Sequence, residues 1–172
     1  VSSGTPIATF ATATAGTGKI VTINGYLAPS SNYVLTNPTV TANITKLTLT
    51  ITVSNVPKPY GTALTNPETV LSSSSRFSAS GLLAGETVTS VTFTYTGTNA
   101  ATFILANAPI GTQATASPSS PTGINFDINN YTPNFTGRVL TVGTGSISIQ
   151  ATGPVKQYGD CLLYTSPSPR DQ

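Results

Sequence analysis

The sequence predicts an all-β fold, and three observations carry that prediction: its residue alphabet, its strands of period two and its internal repeat. Charged residues make up only 7% of the 172-residue chain, where ordinary globular chains carry about a quarter. Thr alone fills 32 positions, and Thr and Val are β-branched residues that suit a pleated, half-buried surface. The 15 Gly and 13 Pro interrupt any helix before it can lengthen, and no window carries a convincing helical period.

Taken in order, residues Lys19 to Ile23 read as the first clear strand. Val40, Ala42 and Ile44 then alternate with Thr39, Thr41 and Asn43, a period of two that puts one face in a core and one in water. Leu47, Leu49, Ile51 and Val53 alternate with Thr48, Thr50 and Thr52, but on the opposite parity. Side chains flip faces at every residue of a strand, so the buried face changes sides at Thr45-Lys46. Further strands are expected over Val88 to Tyr95, with Val91, Phe93 and Tyr95 against Thr92, Thr94 and Thr96, and over Ala101 to Leu105 and Ile124 to Ile128. Ser72 to Ser75 and the Pro-rich run Gln113 to Thr122 are expected to be loops. Short strands with turn signals at regular spacing predict a β-sandwich of immunoglobulin-like type, with a β-grasp-like arrangement as the alternative.

The repeat divides the chain. Asn32-Tyr33 recurs as Asn130-Tyr131, and Lys58-Pro59-Tyr60-Gly61 as Lys156-Gln157-Tyr158-Gly159, 98 positions on in both cases. Between these anchors the copies align without a gap, with Leu49 and Ile51 opposite Ile147 and Ile149 and Ile44 opposite Val142. The expected map is the end of one repeat at 1–45, a complete β-domain at 46–144, and the first strand and turn of a third repeat at 145–160. A unit of this length is a β-domain in its own right, so the prediction is of tandem small β-domains in series, joined with almost no linker. The last stretch, Cys161 to Gln172 (CLLYTSPSPRDQ), resembles the in-frame translation of a transposase mosaic-end sequencing adapter, as in a gene read from a metagenomic fragment cut near Asp160. It is set aside from fold reasoning, and with it goes Cys161, the only cysteine.

These segments resemble a known family. The LTLTITV strand, the K-x-Y-G turn, the GLLAGETV segment (Gly81 to Val88), the TYTG turn ending at Gly97 and the closing Asn130-Tyr131 strand resemble the MBG domain of YGX type. GKIVTINGY (Gly18 to Tyr26) followed by SNYVLTNPTVTANITK (Ser31 to Lys46) resembles the end of a YDG-type repeat. The resemblance implies a large bacterial secreted or cell-surface protein, adhesin-like, without enzymatic activity. Thr62 stands where an acidic residue often follows the Gly of that family's motif.

The chemistry-bearing residues are sparse. With no His, the usual activation of Ser or Thr nucleophiles is missing, and no S-x-x-K motif is present. Glu68, Glu86, Asp127 and Asp160 fall in different turns and read as solubilising surface carboxylates rather than a glycosidase pair. Asp127, Asn129 and Asn130 approach a calcium pattern but lack a further acidic ligand, and an Asx turn accounts for them better. Zinc has neither His nor, after trimming, Cys. No catalytic, cofactor or metal site is therefore expected. Tyr60-Gly61 and Tyr158-Gly159 read as a turn that uses Gly at positive φ, with sugar stacking as the competing role of the ring. No spacing selects Lys58 and Asn130 as the partners of a Lys-to-Asn isopeptide crosslink.

The net charge of +2 is spread over Lys19, Lys46, Lys58, Arg76, Arg138 and Lys156 among others, so no basic stripe addresses nucleic acid. No apolar run is long enough to span a bilayer. The expected partners are neighbouring repeats of the same chain, and then glycans or a host or cell surface met through loops such as Gln113 to Thr122. The expected location is the cell surface or the extracellular medium.

Overall fold

The computed structural model describes residues 4–150. Lys156, Tyr158-Gly159, Asp160 and the Cys161 tail, on which the third-repeat turn and the adapter reading rest, lie outside the described residues. The described residues form an all-β fold with three sheets. The first joins β1 (Ile7–Phe10), β2 (Gly16–Asn24) and β3 (Thr39–Ile44) as antiparallel neighbours in sequence order. Within it, Val21 is buried.

After the two residues Thr45-Lys46 the chain enters β4 (Leu47–Val53), whose alternation follows its sequence pattern from Leu49 onward, while Leu47 stays exposed at the strand's start. Leu49, Ile51 and Val53 are fully buried, while Thr48 is exposed and Thr50 and Thr52 are half-buried. Each such aliphatic side chain removed from water stabilises the fold by about 1.5–3 kcal/mol. The remaining strands are β5 (Lys58–Pro59), β6 (Glu68–Leu71), β7 (Phe77–Ser80), β8 (Thr87–Thr96), β9 (Gln113–Ile124), β10 (Tyr131–Thr136) and β11 (Arg138–Gly143). They build a three-stranded sheet, β10-β4-β7, and a five-stranded sheet, β5-β11-β9-β8-β6. Both contribute to one apolar core. Leu49, Ile51, Phe77 and Tyr131 come from the first of these sheets, and Val70, Val91, Phe93, Ala116, Leu140 and Val142 from the second. Two layers closed over a shared core form a sandwich.

The topology has one feature that bears on function. β4 and β10 run parallel, paired from Tyr131↔Leu47 to Thr136↔Thr52. The strands that follow each of them also run parallel, with Val142 opposite Lys58 and Gly143 opposite Pro59. The first and last segments of the sandwich thus travel side by side and cross together from one sheet to the other. At the later crossing sits Gly137, where a Cβ would lie 2.8 Å from the Ala116 carbonyl oxygen.

Four expectations about local structure need correction. Gln113 to Thr122 is not a loop: it forms most of β9, the longest strand, placed between β11 and β8. Its small residues alternate, with Ala114, Ala116 and Pro118 buried. The prolines are tolerated because β11 pairs only with Gln113–Ala116, so from Pro118 onward that side of β9 is an edge where a missing N–H does no harm. A register irregularity opposite Ser90 and positive φ at Ser120 (46°) accommodate Pro121. Ala101 to Leu105 is not a strand but contributes to a single helical turn, α1 (Ala100–Phe103), that drops the fully buried Phe103 into the core. Ile124 to Ile128 is not a strand either. Asn125 takes a left-handed conformation (φ 55°) directly after β9, and Asp127 caps a 3-10 turn over Ile128–Asn130. Lastly, residues 144–150 pair with nothing among the described residues. Ile147 and Ile149 are exposed, at 89% and 90%.

Candidate functional site

The polar chemistry of the sandwich gathers at three places, two of them at opposite ends of β8. At the end of that strand, the Tyr95 ring is buried between Phe93 and Phe103, with centroids 6.5 and 5.4 Å away. Its hydroxyl donates to Glu68 Oε2 and accepts from Arg76 Nη2 at 2.5 Å. Arg76 also donates to both Glu68 oxygens, at 2.5 and 3.0 Å, and its guanidinium lies over the Phe93 ring, 5.5 Å from the centroid. Glu68 and Tyr95 belong to the five-stranded sheet, and Arg76 immediately precedes β7 of the three-stranded sheet, so this triad clamps the two layers together. Asn66 secures the same end of β8 by receiving the Tyr95 amide at 3.0 Å and donating to the Tyr95 carbonyl at 2.9 Å.

At the start of β8, Tyr131 makes the matching clamp. It opens β10 in the three-stranded sheet, is buried, and stacks on Phe126 with centroids 5.4 Å apart. Its hydroxyl accepts from the Leu83 amide at 3.1 Å and donates to Glu86 Oε2, both in the turn that leads into β8. Burial pushes the Tyr95 hydroxyl well above the ordinary tyrosine range and raises that of Tyr131, and their bonds to Glu68 and Glu86 push the same way. Burial alone would lower Arg76; Glu68 and Tyr95 outweigh it, and the guanidinium is held charged.

The third place is Lys58. Its side chain is 4% exposed, passes Phe103 with Nζ 6.0 Å from the ring centroid, and donates to the Leu105 carbonyl at 2.8 Å. Desolvation lowers its pKa. Lys58 is also part of the lining of a cavity of roughly 290 Å³, with Val56, Pro57, Leu64, Arg76 and Leu140 among its neighbours there.

Set beside the expectations from sequence, this geometry reassigns several residues. Glu68 and Glu86 are not merely solubilising; each is the acceptor of a tyrosine clamp. Asp127 accepts from the Asn129 amide and side chain, both at 2.9 Å, which is an Asx turn. Asn130 receives the Ala15 amide at 2.9 Å, so Lys58 and Asn130 are engaged with different partners. Gly61 has φ 90° in the turn after β5, with Tyr60 half-exposed and its amide bonded to the Gly143 carbonyl at 3.0 Å. Asn32-Tyr33, in contrast, lies ahead of β3 without starting it. Sequence reasoning missed Lys58 as a buried group and Arg76 as a half-buried one. The available signal was position: in a chain this poor in charge, a Lys or Arg flanked by apolar residues or Pro has no charged surface to join.

Among the described residues no group of three or more His, Cys, Asp or Glu could hold a metal ion, and no helix is long and apolar enough to cross a membrane. No protein-family model, curated protein or solved structure matches the chain.

Proposed function

We propose that this chain is a non-catalytic, load-bearing spacer: a run of tandem β-domains of MBG type in a bacterial secreted or cell-surface protein, holding a binding or anchoring module away from its base. The observation that carries the reading is the parallel pairing of the first and last segments of the sandwich. The chain enters at the N-terminal end of β4, two residues after β3, and leaves at the C-terminal end of β11. Tension between those points pulls β4 and β10 along their shared ladder in opposite directions, so its hydrogen bonds are loaded together in shear rather than opened one at a time. The β5–β11 contact is loaded in the same sense. The two tyrosine clamps support the reading, because they resist sliding of one sheet over the other.

The test is single-molecule extension of the full chain. Attachment at Leu47 and Gly143 is expected to need several-fold more force than attachment at Gly85 and Gly143, which peels strands from one end. Equal forces in the two geometries would remove the mechanical reading. A glycan array probed with the same chain addresses the adhesin alternative, whose proposed contact loop, Gln113 to Thr122, is a strand. Reproducible saturable glycan binding would replace the spacer reading with the adhesin one.

A further inference from the structure

A buried lysine usually has an acid beside it, and among the described residues Lys58 has none. The one ion pair among the described residues joins Arg76 to Glu68, and it leaves Arg76 neutralised. A lysine ammonium carries three donors, and the Lys58 Nζ gives one to the Leu105 carbonyl. An unpaired charge taken out of water is costly unless a counter-charge reaches it. Lys58 lines a cavity, and that cavity is otherwise lined mainly by apolar groups. Val56, Pro57, Leu64 and Leu140 supply walls, while the exposed Thr62 and Ser74 are the uncharged polar residues of its lining. Its volume of roughly 290 Å³ sits at the small end of ligand pockets.

We propose that this cavity is a binding site for a small apolar monocarboxylate, whose carboxylate pairs with the Lys58 ammonium while its hydrocarbon part rests on Val56, Leu64 and Leu140. The charge selects an anion, and a single one, because Arg76 is already paired. The walls select a short hydrocarbon chain or a ring over a sugar or a phosphate, which would bring hydroxyls or a second charge to surfaces that cannot satisfy them. The site borders the short β5–β11 contact, whose strands carry Lys58 and Leu140, and takes no residue from the β4–β10 ladder, so it adds an activity to the spacer and does not depend on it.

The experiment is an amide NMR titration of the full chain with hexanoate, alongside 1-hexanol and hexylamine. Hexanoate is expected to give saturable shifts at Val56, Leu64 and Leu140 with millimolar affinity, and the alcohol and the amine to bind at least tenfold more weakly. Lys58→Met is expected to abolish the preference for hexanoate over hexanol. Because that substitution alters a buried position, Thr62→Trp at the rim serves as a second variant: it keeps Lys58 and is expected to block hexanoate by filling the mouth. The proposal is overturned by an absence of saturable shifts up to roughly 50 mM, beyond the affinity range of so small a ligand. Hexanol binding as tightly as hexanoate, or undiminished binding by both variants, would overturn it equally. None of these outcomes touches the force measurement, so the spacer reading stands or falls separately.

Discussion

Removing the Glu68 carboxylate should cost the sandwich more than any surface charge could, and the amount can be bounded. An exposed ion pair contributes less than about 1 kcal/mol, whereas breaking a fully buried pair costs about 3–5 kcal/mol because the orphaned partner stays out of water. The Arg76 and Glu68 side chains are 20% and 16% exposed, much nearer the buried limit. Glu68→Ala takes an acceptor from two Arg76 N–H groups and from the Tyr95 hydroxyl, and it leaves Arg76 with only the Tyr95 oxygen. We expect a loss of about 2–3 kcal/mol. Arg76→Ala should cost a similar amount, since the carboxylate then keeps only the tyrosine. The double variant should cost little more than either single one, giving a coupling energy of about 1.5–2 kcal/mol in a double-mutant cycle. Urea unfolding followed by tyrosine fluorescence measures this, the chain having 7 Tyr and no Trp. The coupling should persist in high salt, because screening reaches a mostly buried pair poorly. A coupling below about 0.5 kcal/mol, or one erased by salt, would refute the claim that the triad ties the sheets together.

Alkaline pH should destabilise the sandwich with an onset near the ordinary tyrosine value of 10.0. There the unfolded chain gives up the Tyr95 and Tyr131 protons while the folded chain keeps them, so stability falls as pH rises. Lys58 works in the opposite sense, since its folded pKa lies below 10.5, but it is one group against two. Tyr95→Phe with Tyr131→Phe should flatten the decline in a urea-midpoint series, and an unchanged slope would count against both clamps. Gly81→Ala should cost more than about 2 kcal/mol, because φ is 88° and the new Cβ would run into the Thr48 carbonyl of β4, a rigid backbone atom. A urea midpoint like that of the unsubstituted chain would contradict that close approach. Phe103→Ala should lose about 3–5 kcal/mol as a cavity opens beneath Tyr95, whereas Ile149→Ala should stay within about 0.5 kcal/mol, which paired thermal melts would show.

How much of this was legible beforehand depends on what each segment's neighbours supply. The β4 and β8 patterns could be read directly, because large apolar residues and Thr alternate there and one parity puts Leu49, Ile51 and Val53 in β4, and Val91, Phe93 and Tyr95 in β8, inward, although Leu47 at the start of β4 stays exposed. β9 carried the same alternation in Ala114-Thr115-Ala116-Ser117-Pro118, but its inward residues are too small to announce a core, and proline counts against a strand wherever both edges are paired. Only the extent of β11, which stops opposite Ala116, makes Pro118 harmless, and no local pattern encodes that. The turn at Ala100–Phe103 is helical for a related reason. Thr96 ends β8, and a short helix after it is what lets Phe103 reach back to Tyr95.

The polar groups were misjudged because sequence treats charge as a surface property. In this chain the carboxylates Glu68 and Glu86 are acceptors for tyrosines whose rings are needed in the core but whose hydroxyls would otherwise be stranded there. Each buried Tyr therefore required one carboxylate at a strand end, and the two pairs fall at the two ends of β8, where the sheets would otherwise splay. Lys58 fits no such pairing. A β-sandwich this poor in charge can leave a lysine buried opposite a carbonyl only if little is lost by its neutral form or if a counter-ion comes from outside. A hexanoate titration that raises the Lys58 pKa would decide for the counter-ion, because a bound carboxylate favours the charged ammonium, whereas a lysine that simply goes neutral would keep its lowered pKa at every ligand concentration.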